Sequence, residues 1–232
     1  MGILTFGIPL ELNINQMLLL FFQIDKDIFV HRFLIYFFIL FTNQLMATEE
    51  PDYSLIFKEK NLEIREYTPR INAHVKVIGS FSEASSRGFK VLADYIFGNN
   101  TLNNDSKKMS MTAPVIASPL SKNITMTAPV IAENNNNEWI ITFVMPKIFT
   151  LENLPKPNNK DITITLEPKE KFAVITFSGL VKEQNYNEKI NLLNQFIKEK
   201  KLKPIGSVQI ARYNPPWTLP FFRRNEIMIR VN

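Results

Sequence analysis

A strand-like run that ends in glycine and is followed by an amphipathic helix occurs twice in this chain of 232 residues. The first run is INAHVKVIG at 71–79, and the second is KFAVITFSG at 171–179. Both following helices repeat the same spacing of four, three and four residues along one apolar face, which is the helical period. The duplication predicts a domain of two similar halves. The face residues are Ala84, Gly88, Val91 and Tyr95 in the first helix and Tyr186, Ile190, Leu193 and Ile197 in the second.

Each predicted helix is followed by β-patterned segments. We expect the first helix to start after an N-cap at Ser82 and to reach Phe97. Residues 146–161 contain three prolines and no period, so they should run extended over the surface. The predicted fold is α+β, with two strand–helix–strand–strand halves, a mostly antiparallel sheet and two packed helices. The predicted later strands are Met109–Ala117, Ile124–Ala132, Trp139–Met145, Ser207–Tyr213 and Glu226–Val231.

The first 47 residues are predicted to be a hydrophobic leader and residues 48–232 the folded domain. The basic pair His31-Arg32, the apolar run FLIYFFILF and the small residue Ala47 are typical of a signal peptide, with cleavage after Ala47. Such a leader predicts export to the periplasm or the outside of the cell. Because the basic start comes late, residues 1–29 are also interpreted as lying before the true start of translation. An uncleaved membrane anchor is the alternative.

Composition excludes several classes of site. The chain has no cysteine, which excludes disulfides, thiolate catalysis and cysteine-ligated zinc, iron–sulfur clusters or haem. Its two histidines, His31 and His74, cannot build a multi-histidine metal site or a Ser-His-Asp triad within the domain. The net charge is +5, but Lys and Arg never form a run longer than two, so no nucleic-acid partner is predicted.

Several short sequence motifs, taken together in their order along the chain, resemble the SOUL haem-binding family. The resemblance implies a distorted β-barrel of two pseudo-repeated halves that binds a tetrapyrrole. It covers nearly all of residues 53–231. The motifs are LEIREYTPR at 62–70, DYIFGNN at 94–100, MTAPV at 111–115, FVMP at 143–146, LPKP at 154–157, FSG at 177–179 and ARYNPPWTLPFFRRNEIMIR at 211–230.

The resemblance also implies where haem contacts should lie. In the family's histidine-ligated members the iron ligand matches Glu66 here, and the basic residues that hold the propionates match Ser86, Asp94 and Leu219. None of these four is an imidazole or a cation. The usual contacts of the family are therefore missing at their usual positions.

Neighbouring residues are the candidates to replace them. We predict a cofactor site for haem formed by His74, Arg87, Phe89, Lys90, Arg223 and Arg224, with no catalytic and no metal-cluster residues. The alternative for His74 is a strand histidine satisfied by a backbone carbonyl or a carboxylate. The alternative for the arginine pair is ion pairing with Glu63 or Glu66 across the sheet. Phe221 and Phe222 are predicted to form an exposed apolar rim that meets a ligand or a membrane.

Three functions follow from these residues. The first is an exported carrier or scavenger of haem or a related planar anion, with no chemistry of its own and no membrane contact beyond an uncleaved leader. The second is a domain that senses a small effector or binds another protein without haem. The third is an enzyme acting on a tetrapyrrole or lipid, for which the sequence offers no paired acid–base site.

Overall fold

The computed structural model describes residues 48–120, 137–181 and 183–232. The predicted leader and the predicted strand at 124–132 lie outside these ranges. Within them, no helix is both long and apolar enough to cross a bilayer. The strands are β1 Tyr53–Glu59, β2 Leu62–Tyr67, β3 Arg70–Ile78, β4 Asn100–Thr101, β5 Val115–Pro119, β6 Glu138–Val144, β7 Lys156–Pro157, β8 Ile162–Glu167, β9 Glu170–Phe177, β10 Pro204–Arg212 and β11 Asn225–Val231, and the helices are α1 Phe81–Ile96 and α2 Glu183–Glu199.

Nine strands form one antiparallel sheet in the order β1-β2-β9-β11-β10-β5-β6-β3-β8, and β4 pairs with β7 separately. The α+β class, the two helices and the antiparallel sheet are as predicted. Among the described residues no pairing joins the edge strands β1 and β8. The closed barrel that the resemblance implies is therefore not found in this part of the chain.

The sheet nevertheless curls strongly. Five strand spacings separate β3 from β9 in the strand order, which would be about 24 Å in a flat sheet. Arg70 of β3 nevertheless places its Nη2 3.0 Å from Oε2 of Glu170 of β9. The sheet therefore has an inner, concave face and an outer face that carries the helices.

Each helix buries its apolar stripe on one half of the outer face. α1 packs on β3 and β6, and its first turn is fixed by a capping box in which Ser80 and Glu83 satisfy each other's backbone N–H groups. The N-cap is Ser80 rather than the predicted Ser82, because Glu83 stands at the third helical position from Ser80. α2 packs on β9 and β11. Because Gly88 has no side chain, α1 can lie directly against Ile141 of β6.

The inner face is buried without a helix over it. Its apolar cluster consists of Tyr67, Ile116, Val144, Phe172, Val174, Ala211 and Met228, drawn from six neighbouring strands. These residues alternate along their strands with residues of the outer clusters, as the two-residue period of a strand requires. Both faces of the central strands are therefore apolar, and the curled sheet encloses its own second core.

Candidate ligand site

The outer faces of β5 and β10 lie between the two helices. β10 and β5 separate the strands under α2 from those under α1 in the strand order. Val208 and Ile210 of β10 belong to the outer core. The two-residue period then places Arg212, the last residue of β10, on the same face. An arginine therefore lies where the strand otherwise presents apolar side chains.

Arg212 lies over the ring of Phe81, and the charge of Arg223 acts on it. Its guanidinium carbon is 5.2 Å from the centre of the Phe81 ring, and that ring is 5.1 Å from the ring of Trp139. Burial, together with the nearby charge of Arg223, lowers the pKa of Arg212 below its usual range. Among the described residues no carboxylate forms an ion pair with either arginine. We call Phe81, Trp139, Arg212 and Arg223 the arginine–aromatic cluster.

The segment 214–222, here called the aromatic loop, follows β10 and is held by polar contacts at both ends. The Arg224 backbone N–H donates to Asn214 Oδ1 at 2.7 Å, and the Gly179 N–H donates to the Pro220 carbonyl at 2.9 Å. Arg223 donates to the carbonyls of Thr218 and Pro216 inside the loop. The loop's large apolar side chains nevertheless remain in solvent. They are Trp217, 80 % exposed, with Leu219, Phe221 and Phe222 at 55 %, 65 % and 70 %.

Together these features suit a planar anion. A half-buried guanidinium without a carboxylate partner offers charge-assisted hydrogen bonds to an anionic group. Aromatic rings beside it provide a surface against which a flat apolar body packs. The rim predicted at Phe221 and Phe222 is present, and their rings lie 4.4 Å apart.

Of the predicted site residues, Arg223 belongs to this cluster and Phe89 lies on the same face of the sheet. Phe89 packs on Phe143 with ring centres 5.5 Å apart. Phe143 pairs with Val115, which in turn pairs with Arg212 across the sheet. Phe89 therefore lies over the same row of outer-face residues as Arg212, two strands away.

The two predicted cations of α1 stand apart from it. Arg87 is exposed and donates a hydrogen bond to the carbonyl of Ile78, at the end of β3. Lys90 is exposed and forms no ion pair among the described residues. Both are available to a ligand lying over α1, and Arg87 also interacts electrostatically with Glu83, four residues before it on the helix.

His74 and Arg224 point to the inner face instead. His74 is half-buried, faces Thr142 and Thr163 across its neighbouring strands, and has its pKa lowered by burial. Arg224 binds both oxygens of Glu50 at 3.0 Å and Oε1 of Glu226 at 2.9 Å. The structure thus separates these two residues from Phe89 and Arg223 by the thickness of the sheet.

The alternative prediction for Arg223 and Arg224 is an ion pair with Glu63 or Glu66, and the observed partners differ from it. Arg224 pairs with Glu226 and Glu50, not with Glu63 or Glu66. Residues two apart in an extended chain point to the same side, which brings Arg224 onto Glu226. Arg223, one residue before Arg224, points to the other side and reaches the aromatic loop.

Glu226 is the centre of a buried ionic cluster on the inner face. It is fully buried and accepts hydrogen bonds from Arg65 at 2.9 and 3.1 Å and from Tyr213 at 2.7 Å. Burial alone would raise the pKa of Glu226, but the hydrogen bonds and charges of Arg65, Tyr213 and Arg224 lower it overall. The carboxylate is therefore ionised and fully compensated, which is the arrangement of a structural ion pair.

The residues at the family's haem-contact positions do not fit those contacts. Glu66 forms an ion pair with Lys169 at 2.7 Å. Asp94 accepts a hydrogen bond from Asn99, while Ser86 and Leu219 are exposed and neutral. A carboxylate held by a lysine does not replace an imidazole on iron, so no iron-dependent step is derived for this chain.

Comparison with protein families decides the relationship. The family model described as SOUL heme-binding protein matches residues 48–230. The chain belongs to the SOUL haem-binding protein family. This SOUL domain has no match among curated proteins.

Solved structures share the fold at low sequence identity. The crystal structure of the EcmrR C-terminal domain is 12% identical with a TM-score of 0.53, covering 78% of this chain and 98% of that one. The EcmrR chain in a cryo-EM complex with DNA is 15% identical with a TM-score of 0.50, covering 94% and 70%. A hydrolase from Listeria innocua is 11% identical with a TM-score of 0.46, covering 82% and 96%. At these identities the likeness concerns the fold alone.

Arg212 is the site residue of this SOUL domain that the sequence analysis missed. The signal was present in VQIAR at 208–212, where an arginine continues the positions of Val208 and Ile210. A charged residue on the apolar side of a strand is unusual unless it is paired. Its aromatic neighbours come from α1 and β6, far away in sequence, so their contact could not be predicted.

Proposed function

We propose that residues 48–232 form a binding module for haem, a related tetrapyrrole or another planar amphipathic anion. The observation that supports this most directly is Arg212, a half-buried guanidinium with aromatic neighbours and no carboxylate partner among residues 48–120, 137–181 and 183–232. The ligand's anionic group would meet Arg212 and Arg223, and its flat body would lie against Phe81 and the aromatic loop. Membership of the SOUL family supports a tetrapyrrole as the ligand class.

The proposed binding does not depend on iron ligation at position 66. Affinity comes from the two guanidinium groups and from apolar contact, neither of which involves the metal. Haemin and metal-free protoporphyrin should therefore bind the full chain with comparable affinity. His74 as an iron ligand is a separate hypothesis, and His74→Ala should remove the ligand-field bands of bound haemin if it is right.

Haemin titration of the full chain, followed by the Soret band, tests the proposal. Arg212→Met should weaken haemin binding by at least about tenfold, since a hydrogen bond to a charged group contributes about 1.5–3 kcal/mol. Lys198→Met, which removes an equal charge from the last turn of α2, is the matched control and should leave affinity unchanged. Equal binding by both variants, or a Soret shift no larger than with an unrelated basic protein, would reject the proposal.

The cellular role that we propose is an exported carrier or scavenger without chemistry of its own. It depends on the leader, for which we expect cleavage after Ala47. N-terminal sequencing of the protein from its native cells should give Thr48 as the first residue. A mature chain that retains residues 17–41 would support a membrane-anchored form instead.

The second predicted function, sensing of a small effector, draws support only from fold. The EcmrR C-terminal domain is similar to this chain in fold, and one EcmrR structure is a complex with DNA. Ligand-dependent binding of this chain to a partner protein, with no binding of haemin, would favour that function.

A further inference from the structure

A cleft of about 460 Å³ opens at the end of the sheet where β2 turns into β3. Its walls come from several separate parts of the chain, and it shares no residue with the arginine–aromatic cluster. This volume lies in the range of about 300–1,000 Å³ that small-molecule sites occupy. The walls are formed by residues 49–52, 68–71, 144–147 and 149–152, with Thr112 and Leu166.

Arg70 lines this cleft with an incompletely satisfied guanidinium. Its side chain is only 10 % exposed, and its Nη2 donates to Glu170 at 3.0 Å. The guanidinium also lies over the rings of Tyr67 and Phe172, at 5.1 and 5.7 Å from their centres. Its Nη1, however, is buried and has no hydrogen-bond partner in the described part of the chain. A buried donor left without an acceptor costs about 1–3 kcal/mol, so a ligand that supplies the acceptor is favoured.

The charges around Arg70 favour an anionic acceptor. Glu170 is shared by two arginines, since Arg230 donates to its other oxygen at 2.7 Å. Two guanidinium groups against one carboxylate leave a net positive charge at this wall. An anionic oxygen at Nη1 would balance it and form a charge-assisted hydrogen bond.

Two of the four acidic residues of the cleft, Glu50 and Asp52, are neutralised by ion pairs. Lys147 holds Asp52 through its Nζ at 2.5 Å and Glu49 through its backbone N–H at 2.7 Å. Glu50 is occupied by Arg224. Among the described residues two carboxylates of this cleft have no ion pair: that of Glu49, which accepts only the Lys147 backbone N–H, and that of Glu152, which lies at the exposed edge.

The remaining walls are apolar. Pro69, Val144, Pro146, Phe149 and Leu166 all line the cleft, and Leu166 is 56 % exposed beside Ile71, its partner across the strands. Apolar surface left in solvent at the edge of a cleft that ends in a donor matches an amphipathic ligand. The apolar part of such a ligand would cover these side chains while its head group reaches Arg70.

We propose that this cleft is a second binding site, for a small amphipathic carboxylate whose head group accepts a hydrogen bond from Arg70 Nη1. The site is independent of the tetrapyrrole site. It lies at the end of the β2–β3 turn, whereas Arg212 lies between the helices on the outer face.

Calorimetric titration of the full chain with octanoate tests this site. Octanoate should bind, whereas octylammonium, which has the same chain length and the opposite charge, should not. Arg70→Lys keeps a cation for Glu170 but removes the Nη1 donor, so it should weaken octanoate binding by about tenfold, equivalent to roughly 1.4 kcal/mol. Circular dichroism and urea unfolding establish that the variant is folded.

A pair of variants at an exposed wall residue provides a test that does not depend on Arg70. Leu166→Asp places a negative charge in the cleft wall, and Leu166→Asn has nearly the same shape without the charge. Octanoate should bind the Asn variant more tightly than the Asp variant. No binding of octanoate, equal binding of octylammonium, or equal affinity of the two Leu166 variants would overturn the proposal.

The two sites can be tested separately. Arg212→Met should leave octanoate binding unchanged, and Leu166→Asp should leave haemin binding unchanged. An unmodified chain that binds octanoate but not haemin would reject the tetrapyrrole proposal alone, and one that binds haemin but not octanoate would reject the second site alone. Mutual displacement of haemin and octanoate would contradict the independence of the cleft.

Discussion

Arg212 combines a poor contribution to stability with a favourable position for binding. A half-buried guanidinium that finds no carboxylate partner among the described residues is costly in the folded state, and its attraction to the Phe81 ring offsets only part of that cost. We therefore expect Arg212→Met to raise the free energy of unfolding by about 1 kcal/mol while it weakens haemin binding. Urea unfolding of the two proteins at neutral pH measures the difference. A destabilised variant would show that Arg212 serves the fold rather than a ligand.

Glu226, in contrast to Arg212, should stabilise the folded protein. Glu226→Gln removes the charge that compensates Arg65 and Arg224 in a dry part of the inner face, so it should lower the free energy of unfolding by about 3 kcal/mol. Glu66→Gln is the matched control, since its ion pair with Lys169 is exposed and should contribute less than about 1 kcal/mol. Similar losses in urea unfolding of the two variants would contradict this assignment.

Glu226 also predicts how stability depends on pH. Its pKa in the folded protein is lower than the ordinary 4.5, so the unfolded chain binds the proton more tightly. The stabilisation is therefore complete above about pH 4.5 and is lost as the pH falls through the folded value. Urea unfolding at falling pH should show a steep loss for the wild type and a smaller loss for Glu226→Gln. Parallel curves would exclude Glu226 as the source.

At the scale of secondary structure, the contact of α1 with β6 depends on a missing side chain. A Cβ at Gly88 would lie 2.6 Å from Cβ of Ile141, which is far inside van der Waals contact. Gly88→Ala should therefore destabilise the protein by about 1–3 kcal/mol, although alanine is the better helix former. Ser86→Ala, on the exposed side of the same helix, is the control and should be neutral or slightly stabilising. Thermal unfolding compares them.

The elements that periodicity defines were predicted well. Both helices and the strands before them appear within a few residues of the predicted positions, because their apolar periods are strong and glycines mark where the preceding strands end. The sequence analysis identified no strand at 162–167, although ITITLE forms β8, since the prolines before it suggested a surface connection. The exposure of Phe221 and Phe222 was also predicted.

The candidate site was predictable only in part. Phe89 and Arg223 could be chosen from their neighbours in sequence. The order β10-β5-β6 places Arg212 near Phe81 and Trp139, and that order depends on pairings between distant segments. Strand alternation predicts that Arg223 and Arg224 point to opposite sides of the sheet. The register of β11 decides which of these two arginines points to the aromatic loop.

For the whole molecule, the open strand order predicts a gradient of local stability. β1 is an edge strand whose seven residues are all exposed, whereas β11 lies inside the sheet and is almost entirely buried. Hydrogen exchange followed by mass spectrometry should show β1 exchanging first and β11 last, because edge amides open without global unfolding. Equal protection of the two strands would indicate that β1 is covered in solution.

The ion pair between Glu50 and Arg224 bears on how the protein can be shortened for experiments. Glu50 meets an arginine 174 positions later, and the carbonyl of Glu49 accepts the N–H of Ala113. A version trimmed to the first strand, beginning at Tyr53, would remove both contacts and part of the wall of the cleft that Arg70 lines. Versions made for crystallisation or spectroscopy should therefore begin no later than Thr48, and weak binding by a shorter one would reflect the cut rather than the ligand.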